Sequence, residues 1–395
     1  MTTDKGVWNL QQVRDKQLQS LWDYTGAGFL YAAGDPSTYG ALGLNTEEVA
    51  VSSPTQVPGN WKDVGSGGSN ATVVIASKAD GTGWSWGANS SGQLGTNQGG
   101  SPSLKYSSPV QIPGTTWALT SSGASSAWAT KTDGTMWAWG YNGHGQVGQN
   151  STSTQRYSSP TQVGSDTTWA TDSFDKLGGG TSSCITIKTD GTLWSWGSNE
   201  QGVLGINAAH DSHRSSPVQI PGTWSVVSEP EHVTAYAINT SGELFGWGYS
   251  GYGQLANNNT ANNMSSPVQI PGTTWKYVTA GREFGMATKT DGTLWGFGRN
   301  HHGQLGNNNR TYYSSPIQIT GTTWDRVFSG SEATWATKTD GTLWSWGYNT
   351  EGQLGHNQAR AQLHSLSSPV QVGSKTDWTR ATMTKWGGFL GITNS

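Results

Sequence analysis

Short bursts in which large and small side chains alternate recur along this chain, and most of them follow an Asp-Gly pair. The clearest is Lys338-Thr339-Asp340-Gly341-Thr342-Leu343-Trp344-Ser345-Trp346-Gly347. Alternation of period two marks a β-strand, because successive side chains leave opposite faces of the pleat. The Asp-Gly pair predicts a two-residue type I′ hairpin turn, whose positive φ angles these residues tolerate. Nearly the same ten residues occur at 131–140 and 188–197. Weaker copies end at Gly87, Gly248 and Gly298, and a worn one ends at Gly34. From Trp84 to Trp344 lie 260 residues and five repeats, so the period is 52.

Within each period four landmarks recur. Ser-Ser-Pro-x-Gln begins at Ser52, Ser107, Ser158, Ser215, Ser265, Ser314 and Ser367. A single Trp follows each: Trp61, Trp117, Trp169, Trp224, Trp275, Trp324 and Trp378. Next comes an apolar residue three before the repeat Lys or its equivalent: Ile75, Trp128, Ile185, Tyr236, Met286, Trp335 and Phe389. The hairpin and Trp-rich burst complete the unit. These predict four strands: A after the single Trp, B at the apolar landmark, C at the burst, and D at Pro-Val-Gln-Ile, with Pro at its start on a sheet edge. Four-stranded sheets that bury both faces only against their neighbours make a β-propeller.

The ends of the chain share one phase. Aligning Trp378 with Trp324 places Ser395 on Gly341, and aligning Gly34 with Gly347 places Gly28 there too. Residues 378–395 therefore supply strands A and B, and residues from Gly28 supply C and D, of one shared blade. The expectation is an all-β, seven-bladed propeller over 28–395, closed by its own termini. Residues 1–27 stand apart as an arm or short helix. Within them Val7, Trp8, Leu10 and Val13 predict a docking face.

Composition narrows the class. Charged residues are 12% of the chain, against 56 Gly and 22 Trp, which suits many tightly turned strands and excludes a disordered chain. A net charge of −3 gives no footprint for nucleic acid, and no apolar run is long enough to span a bilayer. The N-terminus lacks the apolar core of a secretory signal, so a cytoplasmic or virion location is expected. The lone Cys184 excludes an internal disulfide framework.

Gly341-Thr342-Leu343-Trp344-Ser345-Trp346-Gly347-Tyr348-Asn349-Thr350-Glu351-Gly352-Gln353-Leu354-Gly355 resembles the repeat of the regulator of chromosome condensation family. The resemblance covers 28–395 and implies a seven-bladed propeller. It also implies a binding or regulatory role, as a guanine nucleotide exchange factor, inhibitor or adaptor. The Gly-x-x-His pattern usual in that family is replaced here by Phe284 after Gly281 and Ala333 after Gly330. A second resemblance, of Gly6-Val7-Trp8-Asn9-Leu10-Gln11-Gln12-Val13 to segments of tailed-phage virion proteins, implies a structural or adhesion component of a virion.

No catalytic constellation stands out. The repeated Asp80, Asp133, Asp190, Asp291 and Asp340 sit one per blade before Gly, which is turn chemistry and not a calcium site. The Trp-x-Trp pairs read as packing between blades. His301-His302 and His210-x-x-His213 lack convergent carboxylates or Cys in the sequence, so no metal or other cofactor is assigned. The loops between C and D vary, and so do those between A and B, the third being about five residues longer. Variable loops on a fixed scaffold are where recognition sits. Candidate contacts are Tyr106, Tyr157, Tyr312 and Tyr313, which end C–D loops, and Tyr141, Tyr249, Arg299 and Tyr348, which follow Trp-Gly or its equivalent. The expected function is non-enzymatic binding of a protein or other macromolecule, in a virion assembly or on a host surface. The alternative is regulatory action through one propeller face.

Overall fold

A computed structural model describes residues 28–36, 39–46, 49–65, 72–99, 104–152, 154–231, 233–258, 260, 263–358, 363–384 and 387–394. The docking face expected at Val7, Trp8, Leu10 and Val13 lies outside the described residues. Every sheet is antiparallel, with strands in the order A-B-C-D. Blade 1 joins Trp378–Thr384 (A) and Gly388–Thr393 (B) to Gly28–Gly34 (C) and to the first half of Val51–Gly65 (D). The pairs Phe29 with Thr393 and Ala33 with Phe389 zip the two ends of the chain together, as their phase in the sequence required. The second half of Val51–Gly65 runs on as strand A of blade 2.

The A strands of neighbouring blades pack on one another around the axis, whereas the D strands, such as Tyr313–Ile319, form the half-exposed rim. D begins three to four residues earlier than the sequence suggested, so Pro316 sits mid-strand. An outermost strand tolerates this because no further partner needs its amide. The landmarks Ile75, Trp128, Ile185, Tyr236, Met286, Trp335 and Phe389 are all buried between blades. In Trp-x-Trp the two indoles divide the work. Trp344 is half-buried and donates to the Thr342 hydroxyl at 2.9 Å. Trp346 is fully buried and donates to the Gln304 carbonyl of the preceding blade at 2.8 Å.

The hairpin differs from the expected type I′. Gly341 has φ +77°, but Asp340 is not in the left-handed region. The Gly341 amide bonds the Lys338 carbonyl at 2.8 Å, and the Lys338 amide bonds the Thr342 carbonyl at 3.0 Å. This is a type I turn followed by a glycine bulge. The cause is the Asp340 side chain, which accepts from the Thr342 amide at 3.0 Å and hydroxyl at 2.7 Å. Asp80, Asp133, Asp190 and Asp291 repeat the arrangement. Hydrogen bonds from Thr hold the carboxyls of Asp80, Asp133 and Asp340 below the usual range. One oxygen of each Asp is thus engaged twice by its own turn.

The ring is fastened by an asparagine in every blade. Asn45, Asn97, Asn150, Asn207, Asn258, Asn308 and Asn357 all have φ between 53° and 60°. The amide of each bonds the first Ser carbonyl of the next blade's Ser-Ser-Pro, and Asn357 closes onto Ser52 at 2.8 Å. Asn visits the left-handed region at lower cost than most residues with a Cβ. Asn308→Gly is therefore expected to leave the melting temperature nearly unchanged, whereas Asn308→Val costs about 1–2 kcal/mol in urea titrations.

The five extra residues of the third repeat are not in an A–B loop. Leu177–Gly179 pairs with Ser183–Ile187, and the turn beyond it has ordinary length. The insertion lies earlier, as a short 3-10 turn at Phe174–Lys176 that bulges off the innermost strand. It reaches the cavity lined by Val227, Tyr277, Val278 and Val327 from the inner strands of blades 5 to 7. There the Arg380 and Arg326 guanidinium groups stack on Phe174 at 4.0 and 4.6 Å. Asp175 accepts from Arg326 through both oxygens, at 2.9 and 3.0 Å. Arg380 meets Asp63 of blade 2 at 2.9 Å, and both side chains are nearly fully buried. The insertion is an internal tie across the ring.

Candidate protein-interaction surface

Each C strand ends in Gly-x, followed by Asn in five blades and by Ser250 after Tyr249, and on blades 5 to 7 residue x bonds back to the residue just before strand B of the same blade. The amides of Tyr249, Arg299 and Tyr348 bond the carbonyls of Val233, Glu283 and Glu332. Side chains at x therefore stand beside the A–B turns, on the face that also carries the C–D loops. On blades 5 to 7 these positions converge. C strands Leu244–Gly248, Leu294–Gly298 and Leu343–Tyr348 present Tyr249, Arg299 and Tyr348 in a row.

Arg299 is the hub. It donates to Glu283 at 2.6 Å and lies 3.6 Å from Glu332. Its guanidinium sits 5.3 Å from the Tyr252 ring. Tyr252 packs edge-on against Tyr249 at 6.3 Å and against Tyr312 at 5.9 Å, and Tyr312 is 44% exposed. Beyond Arg299, the rings of His301 and His302 lie 3.7 Å apart, and His302 packs on Tyr348 at 4.6 Å. Burial, then the positive charge of His302, Arg299, Arg282 and Arg310, lowers the pKa of His301 to about 4. Burial also lowers that of His302, although Glu332 opposes it. Both imidazoles are therefore neutral at pH 7. The result is a contiguous surface of tyrosines, neutral histidines and braced charges, the residue types favoured as interface anchors.

Of the residues expected from the sequence, Tyr249, Arg299, Tyr312 and Tyr348 meet here. Tyr313 packs against the core between blades 6 and 7 and accepts from Asn309 at 3.1 Å. Tyr106 packs on the core of blades 2 and 3 and bonds Gln98 at 2.7 Å. Tyr157 likewise packs inward. Tyr141 stands on the same face, half-buried in blade 3 and apart from the cluster. Cys184 is fully buried, and that burial raises its thiol pKa far above the usual value, so it is inert packing.

Tyr252, Glu283, His301, His302 and Glu332 were not singled out as contacts. Two signals in the sequence mark them. Tyr252, His301 and His302 fill the variable positions just before Gly-Gln-Leu. Glu283 and Glu332 occupy the same place in successive repeats, two residues after Gly281 and Gly330.

The Regulator of chromosome condensation (RCC1) repeat matches residues 133–172, 190–235, 241–288, 291–336 and 340–384, more than half of the chain. The chain belongs to this family. Among curated relatives, the mitochondrial RCC1 domain-containing protein RUG3 of Arabidopsis thaliana is 28% identical over 204 residues. That alignment covers 50% of this chain and 44% of RUG3, so this chain spans less than half of that relative. Yeast RCC1 (Prp20), solved bound to Kap60, superposes with a TM-score of 0.79 at 17% identity, covering 100% of this chain and 94% of that one. Prp20p of Saccharomyces cerevisiae, in a study of its binding to Gsp1p and histones, gives 0.78 at 17% over 93% and 91%. At that identity the likeness is one of fold. It agrees with the seven-bladed closed ring.

Proposed function

We propose that this RCC1-repeat propeller is a binding protein that regulates a protein partner through the face carrying Tyr249, Tyr252, Arg299, Tyr312 and Tyr348. The observation that carries this reading is the convergence of these side chains from three successive blades, while the opposite face repeats the same self-satisfied hairpins. The yeast propellers of this fold support it, since they bind Gsp1p, histones and Kap60. These likenesses favour the regulatory alternative over a virion or host-surface role, which rested on residues 1–27 and on composition.

The test is quantitative capture from native source material. The Arg299→Ala/Tyr312→Ala pair is expected to lose a bound partner about 10- to 30-fold, as hot-spot truncation does, while keeping a cooperative melting transition. Tyr141→Ala, on the same face but outside the cluster, is expected to retain it. Equal capture by the double variant sinks the reading. A nucleotide-release assay over a broad panel of small GTPases then separates the forms of regulation. Acceleration assigns exchange activity, and a flat result leaves inhibition or adaptor binding.

A further inference from the structure

We infer that His301, His302 and Glu332 form a surface site for one divalent transition-metal ion of the zinc class. Each residue offers one ligand atom, and these atoms all lie within 4.8 Å of one another. His301 Nε2 stands 3.5 Å from one oxygen of Glu332, and His302 Nε2 stands 3.2 Å from the other. With zinc bonds of about 2.0–2.2 Å, a tetrahedron has edges of about 3.3–3.5 Å, so these spacings need only small adjustment. Two imidazoles and one carboxylate leave the fourth position open to water or to a side chain of a bound protein.

The tautomer of His301 adds an independent argument. Arg299 Nη2 lies 3.1 Å from His301 Nε2, and a guanidinium can only donate. Nε2 therefore carries the lone pair, which accepts from Arg299 while the nearer Glu332 oxygen lies 3.5 Å away. A basic nitrogen beside a carboxylate favours a cation shared by both, and Arg299 now serves as that cation, 3.6 Å from the same Glu332 oxygen and held by Glu283 at 2.6 Å. The same guanidinium is thus a built-in competitor. Among the described residues Nδ1 of His301 finds no hydrogen-bond acceptor that would stiffen the ring as in tight structural sites, and an exchangeable ion is expected. The sequence placed the two histidines together. Only the turn before strand B of blade 7 brings Glu332 to them.

The inference does not rest on the protein-binding reading, because its test uses the chain alone. Zinc chloride is titrated calorimetrically, and cobalt chloride is followed by visible absorption for tetrahedral geometry. One equivalent is expected to bind. Glu332→Gln should weaken it about 10- to 100-fold, and His301→Ala/His302→Ala should abolish it. Arg299→Gln should bind several-fold more tightly, an effect that a merely structural role of these residues would not produce. Unchanged stoichiometry in the double His variant overturns the site. So does loss of the ion only on His144→Ala/His213→Ala, whose rings lie 4.6 Å apart elsewhere on the surface.

Discussion

Removing residues 378–395 is expected to abolish the cooperative unfolding transition rather than to lower its midpoint. Those residues supply both inner strands of blade 1. Trp378, Ala381, Met383 and Phe389 share one core with Trp335, Leu343 and Leu354 of blade 7. Phe389 stacks on Trp335 at 5.6 Å and meets Trp378 edge-on at 6.0 Å. Truncating one large buried aromatic costs about 3–5 kcal/mol. Losing two, together with Met383 and the strand ladder, approaches or exceeds a typical net stability of about 5–15 kcal/mol. The deletion also exposes the A strand of blade 7 and the edge of Gly28–Gly34. Thermal circular dichroism and size exclusion provide the check, and Phe389→Ala gives the graded form, an expected loss of about 3–5 kcal/mol. A truncated chain that melts with the parent's sharp transition would show that closure by the termini is dispensable.

The second large effect concerns the channel. Glu229 faces a cavity of about 60 Å³ on the ring axis, among Phe174, Tyr277, Arg326 and Arg380. Burial raises its pKa from 4.5 to about 8, opposed by Arg380 and assisted by Asp63. Arg380 cannot offset the burial because it lies 3.9 Å away and is already paired with Asp63 at 2.9 Å. A carboxyl whose pKa is raised on folding holds its proton more tightly in the folded state. Its contribution is complete below about pH 4.5 and is lost as pH rises through about 8. Glu229→Gln keeps the shape without the charge. It is expected to be more stable than the parent at pH 8.5, on the order of 2–4 kcal/mol, with the difference fading below pH 4.5. Urea titrations at pH 4, 6.5 and 8.5 read this directly. A difference that does not depend on pH would place the carboxylate in contact with bulk water.

The architecture was legible because one physical requirement repeats. Each blade buries an apolar landmark and five of the seven bury a second Trp, so the period of 52 and the shared phase of the ends specify the ring. What escaped the sequence depends on side-chain geometry. The Asp-Gly pair suits both hairpin types, and only the bonds from Thr342 to Asp340 select the type I turn with a bulge. The extra residues around Phe174 are polar enough to pass for a surface loop. They enter the channel because two arginines from distant blades need partners there. Arg299 and Glu332 are 33 positions apart in sequence and 3.6 Å apart in space. No local pattern reports such a pairing, although recurrence of Glu at equivalent places in successive repeats hints at it. Among the tyrosines, those ending C–D loops mostly turn inward to cover the core. Those beside the A–B turns remain available, except that Tyr141 lacks company.

Hydrogen–deuterium exchange on the propeller with and without its captured partner tests the central claim most directly. The account predicts added protection in the segments around residues 249–252, 299–302, 312, 332 and 348, with the Asp-Gly hairpins of the opposite face unchanged. Protection confined to those hairpins, around residues 80–82, 133–135, 190–192 and 340–342, would contradict it.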